Sequence, residues 1–284
     1  MKHLKHIIQS IKQQDETSNE LQKLIWELIC YSPKMPLRLH QQQLIDQSEQ
    51  LHLKVYDKYF SEKELSFPCF IWGEGSRIIL LIHGWGSKGL DFYDLIKGIL
   101  TVPDLKIIAF DAPGNGSAEG NLSNLFLFAE AIKEIKKVYG ILDVMIGHSL
   151  GGMAAVRVLQ ETRECPRHLI TIAPLINLKE NFKGSMTNVG VSNENQQLFL
   201  DDFETLYQQS INSFHVEEMY DFADSINHTL IYEQNDTVTP VADIKEFLVQ
   251  HPEVIPMKNE HTSHAKIISD AEVISKIVQQ LEML

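Results

Sequence analysis

The spacing of apolar residues changes several times along the chain, and each change predicts an element. In the first thirty residues Leu4, Ile7, Ile8 and Ile11 share one helical face, and Leu21, Leu24, Ile25, Leu28 and Ile29 share another. The polar stretch QQDETSNE separates them. Within it Thr17 and Glu20 stand at capping-box spacing, so two helices with a break are expected. From Ser32 to Gln50, Pro33 and Pro36 predict an extended crossing segment that leads into a further helix. Leu53–Tyr59 and Leu65–Trp72 then read as a strand pair joined by the polar SEKE turn.

From Arg77 onward short apolar runs alternate with helical ones. Strands are expected at Ile78–Ile82, Ile107–Phe110, Val144–Ile146, Leu169–Ile172, Leu230–Tyr232 and Val254–Met257. Helices are expected near Tyr93–Leu100, around Phe128, Ile132, Ile135 and Val138, and at Leu150–Leu159, Val241–Val249 and Ile267–Leu281. Unbroken apolar strands with helices between them imply an α/β fold with a predominantly parallel sheet covered on both faces. The rhythm stops between Asn177 and Asn227, where Phe199, Phe203, Leu206, Tyr207 and Ile211 keep helical spacing. A helical insertion there predicts a lid over the carboxyl ends of the strands, where open α/β sheets bind ligands. The expected organisation is an N-terminal helical extension over residues 1–52, packed on the core, and a main domain over residues 53–284 with the lid at about 177–227. The polar face of the extension carries acids as well as lysines, which argues against a membrane-surface role. If the chain dimerises, those helices are the expected contact.

Composition narrows the function class. A length of 284 residues with 44% hydrophobic and 22% charged positions suits one large globular domain. A formal net charge of −13 repels phosphate backbones, so nucleic acid is not an expected partner. Cys30, Cys69 and Cys165 are few and widely spaced, with neither a disulfide framework nor metal-ligand spacing. They fit a reducing compartment. The N-terminus lacks the long apolar core of a signal peptide, and no apolar run is long enough to span a bilayer. A cytoplasmic location is therefore expected.

The strongest chemical signal is Gly147-His148-Ser149-Leu150-Gly151, followed by Gly152, between an expected strand and an expected helix. That context suits a nucleophile elbow, a sharp turn that lifts a serine hydroxyl to a helix N-terminus. A serine hydroxyl needs a base, and the base needs a carboxylate to orient it. His261 and His264 both lie late in the chain, before the final helix. His264 is favoured by its position next to that helix. Asp236 follows the strand at Leu230–Tyr232 and is the expected acid, with Glu233 as the rival. The expected oxyanion donors are the backbone N–H of Leu150 and that of Trp85, in the turn His83-Gly84-Trp85-Gly86 after Ile78–Ile82. His83 is expected to shape that turn rather than to react.

The set HGWG, FDAPGNGSAEG, GHSLGG, NDTVTP and SHAKII, in this order, resembles the α/β-hydrolase superfamily from about Trp72 to the C-terminus. More narrowly it resembles bacterial lidded hydrolases with an HGWG turn. The resemblance implies Ser149, Asp236 and His264 as a triad, Asp111 as a structural turn residue, and no metal or organic cofactor. Asn115 departs from the histidine usual there, with little expected effect, and His-Thr-Ser precedes His264 in place of a glycine-led turn. The implied activity is cleavage of a small-molecule ester through an acyl-enzyme. Thioesterase, peptidase and acyltransferase chemistry use the same triad, and a non-catalytic ligand-binding protein is the alternative of another class. Phe182, Met186, Phe199, Phe203 and Phe214 would either line an apolar acyl pocket or pack the lid onto the domain.

Overall fold

A computed structural model describes residues 2–222 and 226–284. In chain order the elements are α1 (Lys2–Ile11), α2 (Asn19–Cys30), α3 (Leu39–Ile45), β1 (Glu49–Asp57), β2 (Lys63–Trp72), β3 (Arg77–Ile82), α4 (Tyr93–Ile99) and β4 (Leu105–Phe110). There follow α5 (Leu125–Tyr139), β5 (Val144–His148), α6 (Leu150–Thr162), β6 (His168–Ile172), α7 (Leu178–Val189), α8 (Asn193–Tyr207) and α9 (Val216–Met219). The last are β7 (Asn227–Glu233), α10 (Val241–Gln250), β8 (Ile255–Asn259) and α11 (Ala271–Glu282).

The strands form one eight-stranded sheet in the order β1-β2-β4-β3-β5-β6-β7-β8. β1 and β2 make an antiparallel hairpin, β2 meets β4 antiparallel, and the pairings from β4 through β8 are parallel. The chain steps from β3 out to β4 and returns across β3 to β5. The crevice beyond the carboxyl ends of β3 and β5 is therefore a topological switch point, where such sheets bind ligands.

Alternation along the central strands divides the core between the two faces. Ile79 and Leu81 of β3, Ile107 and Ala109 of β4, and Val144 and Ile146 of β5 pack with α4 and α11. Leu80, Ile82, Ile108, Phe110 and Met145 face α5 and α6. Burial on both faces is the reason these strands read as continuous apolar runs.

The N-terminal helices belong to the second of these cores. Ile7, Ile11, Leu21, Ile25 and Ile29 are buried within it. Ser18, not Thr17, caps α2, its side chain accepting from the Glu20 N–H at 3.1 Å, because Thr17 is held by Asp15. β1 begins at Glu49, ahead of the expected boundary at residue 52, and ends before Tyr59. The Asp57 carboxylate collects the N–H groups of Tyr59, Phe60 and Ser61 and turns the chain there. The expected final helix is also interrupted. Ile267–Ser269 is a short 3₁₀ turn, and Asp270 then caps α11 by accepting from Glu272 and Val273.

Between β6 and β7 lie α7, α8 and α9. The side chains of Asn177 and Ser192 cap α7 and α8, and Gly190 ends α7 in a left-handed conformation. Residues 223–225 of the expected 177–227 insertion lie outside the described residues, and Asn227 already belongs to β7. The insertion is tied to α2: the Gln22 amide reaches Asn195 at 2.8 Å, and the Asn195 amide donates to the Glu16 carbonyl at 3.1 Å. Asn115 takes a structural position in the turn after β4. It is fully buried, pairs with the Ser32 hydroxyl and donates to Ser123 at 3.0 Å, fastening the segment after α2 to the turn after β4. No helix among the described residues is long and apolar enough to cross a membrane.

Ile25 is fully buried between α2 and the sheet domain. Ile25→Ala is expected to lower the unfolding free energy by about 2–5 kcal/mol in urea titrations. A loss below about 0.5 kcal/mol would mean that α2 is not part of the cooperative core.

Candidate active site

The site is built around a turn that only a glycine-rich sequence can make. Ser149 sits between β5 and α6 at φ +53° and ψ −120°, a strained conformation for a residue with a side chain. Its own N–H donates to the Ile172 carbonyl, and its carbonyl accepts from Leu175, which fixes the turn to β6. Close approach requires glycine on both sides of the hydroxyl. A Cβ on Gly151 would lie 2.3 Å from the Ile82 carbonyl oxygen, and one on Gly84 would lie 3.0 Å from the Ser149 Cβ. The turn after β3 is thereby pressed against Ser149, bringing the HGWG segment beside the GHSLGG segment. Leu150 is the first residue of α6, so its N–H has no intrahelical acceptor.

Ser149 Oγ lies 2.9 Å from His264 Nε2, and His264 Nδ1 lies 2.7 Å from Asp236 Oδ2. The imidazole therefore donates from Nδ1 to the carboxylate and presents Nε2 as an acceptor to the serine hydroxyl. The Asp236 side chain is fully covered, whereas that of His264 is 14% exposed. Burial by itself would raise the Asp236 carboxyl. Hydrogen bonds from His264 and from the Val238 and Thr239 N–H groups outweigh burial and hold the carboxyl below the usual carboxylate range. The Thr239 hydroxyl adds a donor at 2.9 Å.

The remaining candidates fall into supporting positions. His261 is exposed, and its N–H donates to Asn259. Glu233 is buried and accepts from the N–H and hydroxyl of Thr262, so it shapes the loop that carries His264. His83 bridges the Gly84 carbonyl at 2.7 Å and the Ala112 N–H at 2.9 Å; burial keeps it neutral. Asp111 accepts from the N–H groups of Gly89 and Ser117. Local spacing assigns no role to His148. It is buried beneath His264, and its Nε2 donates to the His264 carbonyl at 2.9 Å, anchoring the main chain of that residue. Its place inside the motif was visible, but its partner lies in a distant loop.

A cavity of about 310 Å³ opens above Ser149 and His264. Phe182 and Phe203 line it, whereas Met186, Phe199 and Phe214 pack in the core. Local spacing carries no sign that α2 forms part of its wall, through Trp26, Leu28, Ile29 and Cys30. Burial pushes the Cys30 thiol up, so it adds a neutral surface.

The Alpha/beta hydrolase family model matches residues 79–265. A Mycoplasma pneumoniae protein that carries an esterase/lipase name is 26% identical over 219 residues, covering 63% of this chain and 78% of its own length. The pimeloyl-[acyl-carrier protein] methyl ester esterase of Yersinia pseudotuberculosis is 26% identical over 135 residues, covering 46% of this chain. The match spans about half (49%) of the Yersinia enzyme. Among solved structures, the Pyrococcus furiosus esterase Pf2001 superposes with a TM-score of 0.63 at 19% identity, covering 89% of this chain and 97% of that one. At that identity the superposition speaks for the fold.

Burial, reinforced by the adjacent His264, pushes the His148 imidazole down to about 3. In the unfolded chain it titrates near pH 6.5. Its contribution to stability is therefore complete above that pH and is lost as pH falls toward the folded value. Between pH 7 and pH 5 this residue is expected to account for about 2 kcal/mol of lost stability. Urea unfolding at the two pH values should show that portion missing in His148→Gln. An unchanged pH dependence would contradict a buried neutral imidazole.

Proposed function

Because this chain belongs to the alpha/beta hydrolase family, we propose that it is a serine hydrolase cleaving carboxylic esters through an acyl-enzyme. The observation that carries this reading is the continuous hydrogen-bonded line from Asp236 through His264 to Ser149, at 2.7 and 2.9 Å, at the base of a mainly apolar cavity. The esterase names of the Mycoplasma and Yersinia relatives support the same class.

In this reading Ser149 Oγ attacks the ester carbonyl while His264 Nε2 takes its proton. Asp236, held ionised, stabilises the imidazolium and keeps its tautomer. The oxyanion is received by the N–H groups of Leu150 and Trp85. Losing one such donor typically costs about 3 kcal/mol in the transition state. His264 then protonates the leaving alkoxide. A water molecule, deprotonated by the same imidazole, releases the acid and restores Ser149. No step needs a metal or organic cofactor. The α7–α9 insertion acts as the lid, excluding water from the acyl side of the cavity. The unpaired cysteines fit a reducing, cytoplasmic setting.

A fluorophosphonate probe tests the reading directly. Stoichiometric labelling of the wild type is expected, with none in Ser149→Ala. Asp236→Asn should lower kcat on p-nitrophenyl butyrate by about 10⁴-fold with little change in fold stability. If the wild type neither labels nor turns over esters, the chain is a binding protein on this fold. Product analysis with an added alcohol separates hydrolysis from acyl transfer.

A further inference from the structure

We propose that Trp26, on the N-terminal helix α2, is the partition that limits acyl-chain length in the cavity above Ser149. The inference rests on the ester-cleaving reading and names the residue that decides which esters are taken. The cavity is bounded on its reactive side by Ser149, Leu150, Trp85, Val238 and His264. Trp26, Phe203 and Tyr207 contribute to the same wall lining. A second, open groove runs over the outer surface past Tyr59, Phe60, Leu122 and Leu206. Among the described residues Trp26 is the one that lines both, and the groove touches neither Ser149 nor His264. The indole therefore stands between the space that holds the nucleophile and the space outside.

Its packing suits a fixed wall. The ring lies 4.8 Å from Phe199 and 6.3 Å from both Phe203 and Tyr207, so α8 supports it. Tyr207 is itself held, stacking on Phe126 at 4.3 Å, with its hydroxyl receiving the Asn124 amide at 2.9 Å. Tyr207 in turn meets Tyr59, which lines the outer groove, at 4.5 Å. The surroundings are neutral, since burial raises both the Cys30 thiol and the Tyr207 phenol. Such a wall accepts an alkyl chain and offers no partner to a charged one. A volume of about 310 Å³ is at the small end for ligand pockets, which favours short and medium acyl groups. Removing the indole would join the cavity to the groove and give a longer chain an apolar path to the surface. Trp26 lies outside residues 79–265, so the matched family segment carries the reacting groups while the chain ahead of it supplies the length filter.

The test is a profile of kcat/KM over p-nitrophenyl esters from acetyl through butyryl, hexanoyl, octanoyl and decanoyl to dodecanoyl. Wild type should lose about tenfold or more per added methylene once the chain reaches Trp26. In Trp26→Ala the ratio of dodecanoyl to butyryl kcat/KM should rise at least tenfold, with a smaller rise in Trp26→Leu. A ratio is insensitive to the fraction of protein correctly folded. Ile25→Ala, which loosens α2 without opening the partition, should keep the wild-type ratio. The proposal is overturned if the ratio stays fixed in both Trp26 variants, or moves as far in Ile25→Ala.

Calorimetric binding of the same esters to Ser149→Ala, with and without Trp26→Ala, separates this proposal from the hydrolase reading. An ester-binding length limit that moves outward with Trp26→Ala upholds the partition even if wild type shows no turnover. Identical length dependence in the two variants, or no ester binding in either, sinks it.

Discussion

The site depends on how closely α6 can approach the central strands. Gly151 sits against the carbonyl oxygens of Ile82 and His83 with no space for a side chain. That contact draws the N-terminus of α6 onto the carboxyl ends of β3 and β5 and forces Ser149 into its positive-φ turn. The strain is held by hydrogen bonds from the Ser149 peptide to β6 and to the segment beyond it, at 3.0 and 3.1 Å. A single methyl group at Gly151 would push the helix away, and both the hydroxyl and the helix N-terminus would lose their position relative to the β3 turn.

A ring of buried polar residues holds the loops that converge on this turn. His83 ties the β3 turn to the segment after β4, Asp111 ties that segment to Gly89 and Ser117, and Glu233 ties β7 to the loop before His264. His148 reaches across to the His264 main chain. Each bond is modest in net energy. Leaving such a buried group unpaired costs more than the bond contributes, so the loops have few alternative arrangements. Asp236 is held below the usual carboxylate range by its several donors, which outweigh its burial.

The N-terminal helices join this arrangement through packing rather than motif. Their apolar faces merge with the core on the α5 and α6 side of the sheet. Asn115 and Ser32 link the segment after α2 to the turn after β4, while Gln22, Asn195 and Glu16 link α2 to α8. A wall of the cavity is thus carried on a part of the chain that precedes the family match.

Local pattern made much of this legible. Strands β3 through β7 show as apolar runs because each is buried on both faces, and Ser149 stands out because the glycine-rich strand-to-helix turn is encoded within a few residues. Helix ends were less legible. Ser18 and Asp270 act as caps through side-chain bonds that compete with neighbouring choices such as Thr17, and period alone does not rank them. Local pattern therefore encodes the layer architecture, the parallel sheet and the turn that presents the serine. Only the docking of distant segments selects which late histidine meets Ser149, what His148 and Asn115 hold, and that Trp26 faces the cavity. The bond between His148 and His264 alone joins residues 116 positions apart in the chain. Such contacts follow from strand order and helix docking, which no local spacing records.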